Sequence, residues 1–156
     1  MNSPEPRIVE GRLDDPRVIA LLRHHLTKAR ETTPAENAYA LDLSGLKAPD
    51  IRFWSAWEGE TLLGCGAMRS LSATEAEVKS MHTARAARRR GVGSAILRHI
   101  MAEARAAGHR RLLLETGTHA YFAAAEAMYR AHGFADCGPF GGYAPSPHNM
   151  FLAREL

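Results

Sequence analysis

The residues richest in chemistry lie in one stretch, ARRRGVGSAILRHIM, from Ala87 to Met101. Arg88, Arg89 and Arg90 stand directly before Gly91 and Gly93, Ser94 follows, and an apolar repeat begins at Val92. A basic, glycine-bearing turn that opens a helix can bind an anion. The first N–H groups of a helix have no carbonyl partner, and the helix dipole adds positive potential there. Glycine carries no side chain to hold a phosphate off the main chain. The plainer reading is a turn eased by glycine, with its arginines in water. No GK[ST] follows, so this is not a nucleoside-triphosphate loop, and GVGSAI lacks the third glycine of a dinucleotide fingerprint.

Other candidates flank that turn. Glu77, His82, Glu115, His119 and Tyr129 can hold or move protons. Cys65 and Cys137 have no evident activating neighbour and read as small packing residues. Trp54 and Trp57 read as hairpin surface and core.

These residues need elements to hold them. PRIVEGRL reads as a strand, and Asp14 or Asp15 caps a helix that starts at Pro16. Thr33-Pro34 can open a second short helix ending before Gly45. IRFWSAWEGETLLGCGAMRSL reads as a hairpin turning at Glu58-Gly59-Glu60, and the glycines inside its second strand suggest a bulge or a close backbone approach. Glu75 to Thr83 follows as a strand. Strict alternation along it puts Glu77, Lys79, Met81 and Thr83 on one face and His82 on the other, as a core or backbone-bonded histidine. A helix runs from Gly91 to Gly108, RRLLLET (Arg110 to Thr116) is a buried strand, and YFAAAEAMYRAH is a helix closed by Gly133. FADCG and NMFLAREL are strands around a loop. The order implies a mixed α/β sheet with one parallel crossover.

Composition narrows the function classes. The chain has 156 residues, 46% hydrophobic and 24% charged, which fits a single globular domain over residues 1–156. No apolar run is long enough to span a membrane, and the start lacks a signal-peptide core. With two cysteines there is neither a disulfide framework nor a metal spacing, and the expected setting is cytoplasmic. A net charge of +3 suits an anionic ligand without requiring nucleic acid.

RRRGVGSAIL, read as R-x-x-G-x-G from Arg88 to Gly93, resembles the acetyl-CoA signature of the GCN5-related N-acetyltransferases (GNAT). AMYRAHGF resembles that family's later motif, with Tyr129, Gly133 and Phe134 at its Tyr-x-x-x-Gly-Phe positions. EVKSMHT and LLLETG are most similar to a bacterial branch of small-molecule acetyltransferases within it. The resemblance covers nearly the whole chain. It implies a GNAT-like acyl-CoA N-acyltransferase fold, a mixed sheet of six to seven strands with about four helices.

It also implies acetyl-CoA as co-substrate, and no metal. The cofactor would lie where the strands at Glu77–Thr83 and Arg111–Thr116 splay, with its arm along Met81, His82 and Thr83. The N–H of Met81 would polarise the thioester carbonyl, and the pyrophosphate would rest on the N–H groups of Arg89, Arg90, Gly91, Val92, Gly93 and Ser94, rimmed by Arg88. Tyr129 matches the family's proton donor to the departing thiolate. Glu77 is the first choice of base, ahead of Glu115 and His119, the alternative for Glu77 being a salt bridge with Lys79 or an arginine. Phe122 stands where the family often has an asparagine against the cofactor arm, so apolar packing replaces a polar contact.

The expected activity is acetyl transfer to the amine of a small or amino-acid-like acceptor. The segment Thr32–Leu46 and the loop Gly138–His148 would shape its site, with Tyr39, Arg69 and Tyr143 as lining. A non-catalytic acyl-CoA sensor on the same fold and a nucleic-acid module using Arg85 to Arg90 are the competing readings. The latter has a small footprint, so neither nucleic acid nor membrane is expected as partner. A homodimer through an edge strand near the C-terminus stays open.

Overall fold

Local signals start the elements where the sequence puts them. In the computed structural model, which describes residues 5–34 and 42–156, strand β1 (Arg7–Glu10) precedes helix α1 (Pro16–Thr32). Asp15 caps α1 by accepting the Arg17 N–H, and Pro16 takes the first turn. Helix α2 (Leu43–Leu46) is capped by Asp42, whose carboxylate accepts the Gly45 N–H. Gly45 therefore lies inside that helix rather than after it, and whatever Thr33-Pro34 opens lies outside the described residues.

The remaining elements are β2 (Ile51–Glu58), β3 (Thr61–Ser70), β4 (Glu75–Thr83), α3 (Val92–Ala106), β5 (Arg111–Gly117), α4 (Ala123–Ala131), β6 (Ala135–Asp136) and β7 (Asn149–Glu155). They build one seven-stranded sheet in the order β1-β2-β3-β4-β5-β7-β6. Among the described residues only β4 and β5 run parallel, joined through α3. Among the described residues no helix is long and apolar enough to cross a membrane.

Each face of the sheet has its own core. Ile96, Leu97 and Ile100 of α3 pack with Trp54, Met68, Val78, Leu112 and Tyr129 on one face. Val18 and Leu22 of α1 pack with Leu46, Phe53, Trp57, Cys65 and Ala67 on the other. The expected glycine role in β3 holds in detail. A Cβ on Gly66 would sit 2.7 Å from Ile96 Cγ2, and one on Gly64 3.2 Å from Val92 Cγ1, so both glycines let α3 lie close on the strand.

Strict alternation along β4 fails. Cys65 of β3 pairs with His82 and Ala67 pairs with Lys79, so Ser80 and Met81 together oppose Gly66. This is a β-bulge, with Ser80 in the left-handed region at φ 56. The extra residue reverses the phase of everything after it. Glu77 and Lys79 stay on the α1 face, Met81 turns to the α3 core, and His82 joins the α1 face against His24 and His25.

Candidate active site

A gap in the sheet frames the site. The β4–β5 pairs run Glu75↔Arg111, Ala76↔Leu112, Glu77↔Leu113 and then stop, although β4 continues to Thr83 and β5 to Gly117. Beyond Glu77 the two strands diverge and leave a wedge. Past the bulge, Ala84 donates its N–H to Leu63 O of β3 at 2.8 Å. Main-chain groups alternate along a strand, so those of Thr83 and Met81 turn the other way, into the wedge. Those of His82 face β3.

At the open end of β4 a short 3-10 turn (Arg85–Ala87) leads into the basic stretch. Arg89 (φ 66) and Gly91 (φ 78) are both left-handed, and α3 starts at Val92 with no side-chain cap. The N–H groups of Val92, Gly93 and Ser94 form the helix's first turn, where no preceding turn supplies carbonyls. Together with the left-handed residues before them they make a concave set of donors suited to an anion.

The two glycines do different jobs. A Cβ on Gly91 would meet nothing within 4 Å, so glycine is required there by φ alone. A Cβ on Gly93 would lie 2.9 Å from Met128 Sδ, so that glycine admits α4 against α3. Arg88 and Arg89 are exposed, while Arg90 is drawn to Glu58 at 2.5 Å.

The α3 side of the wedge carries Tyr129, 6% exposed and with its ring tilted against Phe134 at 5.9 Å. Burial pushes its hydroxyl well above the usual tyrosine range, so it keeps its proton at neutral pH. Phe122 lies over the end of β5, so close to Gly117 that a Cβ there would fall 2.5 Å from its ring. His119 is exposed and caps the next turn, accepting the Tyr121 N–H at Nδ1 (3.0 Å).

The α1 side carries a buried polar cluster. Glu77 is 2% exposed and accepts from Lys79 Nζ at 3.3 Å and from the Tyr143 hydroxyl. Lys79 Nζ also donates to the Tyr143 oxygen at 2.6 Å and lies over its ring. Burial and the Glu77 charge raise the Tyr143 hydroxyl far above its ordinary value. Glu115 of β5 shares this field. Burial raises its pKa against a hydrogen bond from Asn149 and the nearby Lys79 charge. A cavity of about 520 Å³ opens over the cluster, with Asp50 and Arg69 at one side and Phe140 and Tyr143 at the other. Arg69 and Tyr143, expected to line the acceptor site, both line this cavity; Asn149, the partner of Glu115, was not singled out from the sequence. Tyr39 lies outside the described residues.

Sequence reasoning also missed His25. Its Nδ1 lies 3.2 Å from His82 Nδ1, and His24 packs edge-on against the same ring at 5.5 Å. Their sequence signal was an adjacent histidine pair on α1, invisible as a site until the bulge turned His82 toward it. Burial lowers His25 to about 4, assisted by His24. Burial, then His25, His24 and Arg88, lowers His82 to about 3. Both rings are neutral at pH 7. Among the described residues no three His, Cys, Asp or Glu converge as metal ligands. Cys65, whose thiol burial pushes up to about 12, donates to Ser80 O instead.

Comparison with known proteins adds relatives to this geometry. Residues 17–134 match the model of the Acetyltransferase (GNAT) family. The Escherichia coli (strain K12) protein named Uncharacterized N-acetyltransferase YedL is 46% identical over 144 residues, 92% of this chain and 91% of the relative. A protein of Azospirillum brasilense named IAA acetyltransferase is 46% identical over 124 residues, 79% of this chain and 80% of that one. Among solved structures, a GNAT family acetyltransferase from Elizabethkingia anophelis with acetyl-CoA bound superposes with a TM-score of 0.72 at 15% identity, covering 99% of this chain and 100% of that one.

Proposed function

The chain belongs to the GNAT acetyltransferase family and is an N-acetyltransferase, and on that footing we propose that its acceptor is a small amine bound on the α1 face of the wedge. The observation that carries this is the cavity of about 520 Å³ over the end of β3 and the adjoining part of β4, with buried Glu77 and Lys79 in its wall. Its size suits a small molecule rather than a folded partner. Its charged lining is self-paired, Arg69 with Asp50 and Lys79 with Glu77, and Phe140 and Tyr143 offer the ligand aromatic surface. The IAA in the Azospirillum relative's name supports a small acceptor in the same way.

Acetyl-CoA supplies the activated acetyl group as a thioester. The residues present fit it. The concave donors of Arg89 to Ser94 suit a pyrophosphate, and the open side of Gly91 leaves room for its approach. The main-chain groups of Met81 and Thr83 face the wedge and suit an extended arm that pairs as an added strand. The N–H of Met81 is then the fixed donor for the thioester oxygen. Tyr129, kept protonated by burial, donates to the sulfur as it leaves. Phe122 gives the arm an apolar wall.

Glu77 takes a different part from the base first expected. Its carboxylate already holds Lys79 and Tyr143, and lifting a proton would mean giving up that pairing. It organises the acceptor pocket. The sensor and nucleic-acid readings are not favoured, and Arg90's pairing with Glu58 further shrinks the basic footprint.

The test is a melting-temperature shift with CoA and acetyl-CoA, together with thiol release against a panel of amines and amino acids. Stabilisation by CoA and thiol release that depends on a small amine are expected. Stabilisation without release for any amine would return the sensor reading.

A further inference from the structure

A second cavity, of about 540 Å³, opens where α3, the end of α4 and β7 meet. Arg98, Met101 and Arg105 of α3, His132 and Gly133 beyond α4, and Arg154 of β7 line it. The three α3 residues fall on one stripe, since side chains three and four apart share a helix face. Arg154 lies opposite Leu112 in the β5–β7 pairing, and Leu112 belongs to the α3 core, so Arg154 rises on that same side. A Cβ on Gly133 would sit 2.9 Å from Arg154 Nε, so the glycine lets this guanidinium cross the end of α4. His132 is held by its Nδ1, which donates to Met128 O at 2.9 Å. Three arginines thus share one cavity, and no acid among the described residues lines it.

Their lack of partners sets these arginines apart. Elsewhere Arg17, Arg52, Arg69, Arg90, Arg111 and Arg130 each hold a carboxylate. Arg105 and Arg154 hold none among the described residues, and Arg154 donates instead to the main-chain oxygen of Glu155 at 3.1 Å. Arg98 reaches Glu5 at 3.4 Å, but that side chain is 83% exposed, so a bound anion can displace it. We infer that this groove binds a small, multiply charged oxyanion, such as a phosphorylated or polycarboxylate metabolite, at a site separate from that of acetyl transfer. Guanidinium groups pair two N–H donors at a time with phosphate or carboxylate oxygens. The cavity has the size of a small-molecule site, and buried Met101 gives it an apolar floor.

The cofactor's cradle does not account for the groove. That cradle ends at Ser94 in the first turn of α3, and Arg98 and Arg105 lie about 6 Å and about 16 Å farther along the helix. Arg154 stands opposite Leu112, where β4 and β5 are still paired, so it sits at the closed end of the strand pair and away from the wedge. Three charges around one cavity also make a small footprint for nucleic acid, whose affinity builds on many phosphate contacts. One helix therefore serves two anion sites, its first turn the cradle and its later turns the groove.

The test is calorimetric titration of pyrophosphate and of citrate into wild type, Arg105→Gln and Arg23→Gln, with the cradle first filled by saturating CoA. Arg105 is exposed, so its replacement leaves the core untouched, and Arg23 is an exposed arginine of α1 whose loss removes the same charge elsewhere. Wild type should bind at least one of the two anions at a single site, more weakly as salt rises. Arg105→Gln should bind that anion about tenfold more weakly, and Arg23→Gln should match wild type. Whichever anion binds more tightly tells phosphate from carboxylate. Failure of both anions to bind while CoA is present, or an equal affinity in Arg105→Gln and Arg23→Gln, overturns the inference. So does a single-stranded DNA oligonucleotide that binds more tightly than either anion and is weakened by Arg105→Gln. CoA binding to none of the three proteins would fault the acetyl-CoA reading instead, and the same comparison of variants without CoA then decides the groove.

Discussion

Glu77 and Lys79 give the sharpest test of how the acceptor pocket is built. Their charges approach to 3.3 Å, with the Lys79 and Glu77 side chains only 8% and 3% exposed. At an effective dielectric of about 20, such charges attract by about 5 kcal/mol. Taking each ion out of water costs several kcal/mol, so the intact pair comes close to break-even. Removing one partner is another matter, because the survivor stays buried and uncompensated, at about 3–5 kcal/mol. Glu77→Leu strands the ammonium, and Lys79→Met strands the carboxylate while leaving it the Tyr143 hydroxyl. Each kcal/mol shifts the melting temperature by about 2–4 °C in a chain of this size, so each single variant should melt about 6–20 °C lower. The double variant E77L/K79M removes both charges and should melt above either single one. Urea unfolding at pH 7 gives the energies. Single variants within about 0.5 kcal/mol of wild type would mean that the pair is solvated. A double variant as weak as the sum of the two would mean that they do not interact, and either result refutes the argument.

Other outcomes follow from single residues. Tyr129→Phe should lower kcat by about 10²-fold and leave the KM for acetyl-CoA within about twofold, and steady-state kinetics with unchanged kcat would end its role as acid. Gly91→Ala forces a side chain into a residue at φ 78, at about 1–2 kcal/mol, so the chain should melt lower and bind CoA more weakly by titration calorimetry. Gly66→Ala would set a Cβ 2.6 Å from Met81 Sδ and 2.7 Å from Ile96 Cγ2; overpacking of about 1–3 kcal/mol should appear in urea unfolding. Acid should destabilise the fold through His25 and His82. Their folded values of about 4 and about 3 lie below the ordinary 6.5, so the unfolded chain binds protons first as pH falls. Stability should be full above about pH 6.5 and fall below it, by up to about 2 kcal/mol per ring at about pH 5. Urea midpoints measured from pH 7 to 5 should therefore decline less in His25→Gln.

Much of this was legible because it is local. Asp15 before Pro16, Gly91 before an apolar repeat and Gly108 after it mark helix ends by short-range rules, and α1 and α3 begin where those rules put them. The wedge was expected from the family resemblance, the residues themselves carrying only a parallel crossover beside an antiparallel hairpin. The face assignment did not follow. Period two is a property of regular strands, and one residue in the wrong φ region resets it. Ser80 is not glycine, so nothing in EVKSMHT announces a left-handed position, and the pairing with Gly66 is visible only across the sheet. The partner of His82 was equally hidden, since His25 precedes it by 57 residues.

The bulge accounts for the division of labour at the wedge. Had β4 alternated strictly, Met81 would share the α1 face with Lys79, and His82 would lie among Val92 and Ile96 of α3. The first would turn a thioether toward the Lys79 side, and the second would take the ring away from His24 and His25. The extra residue exchanges the two. It holds Ser80 at φ 56 and leaves its hydroxyl buried without a partner among the described residues, a local cost of about 1–3 kcal/mol. Strain of that kind persists only where the surroundings fix it, and here α3 fixes it through Met81 and Gly66. The exchange leaves Tyr129 on one face of the sheet and His82 on the other.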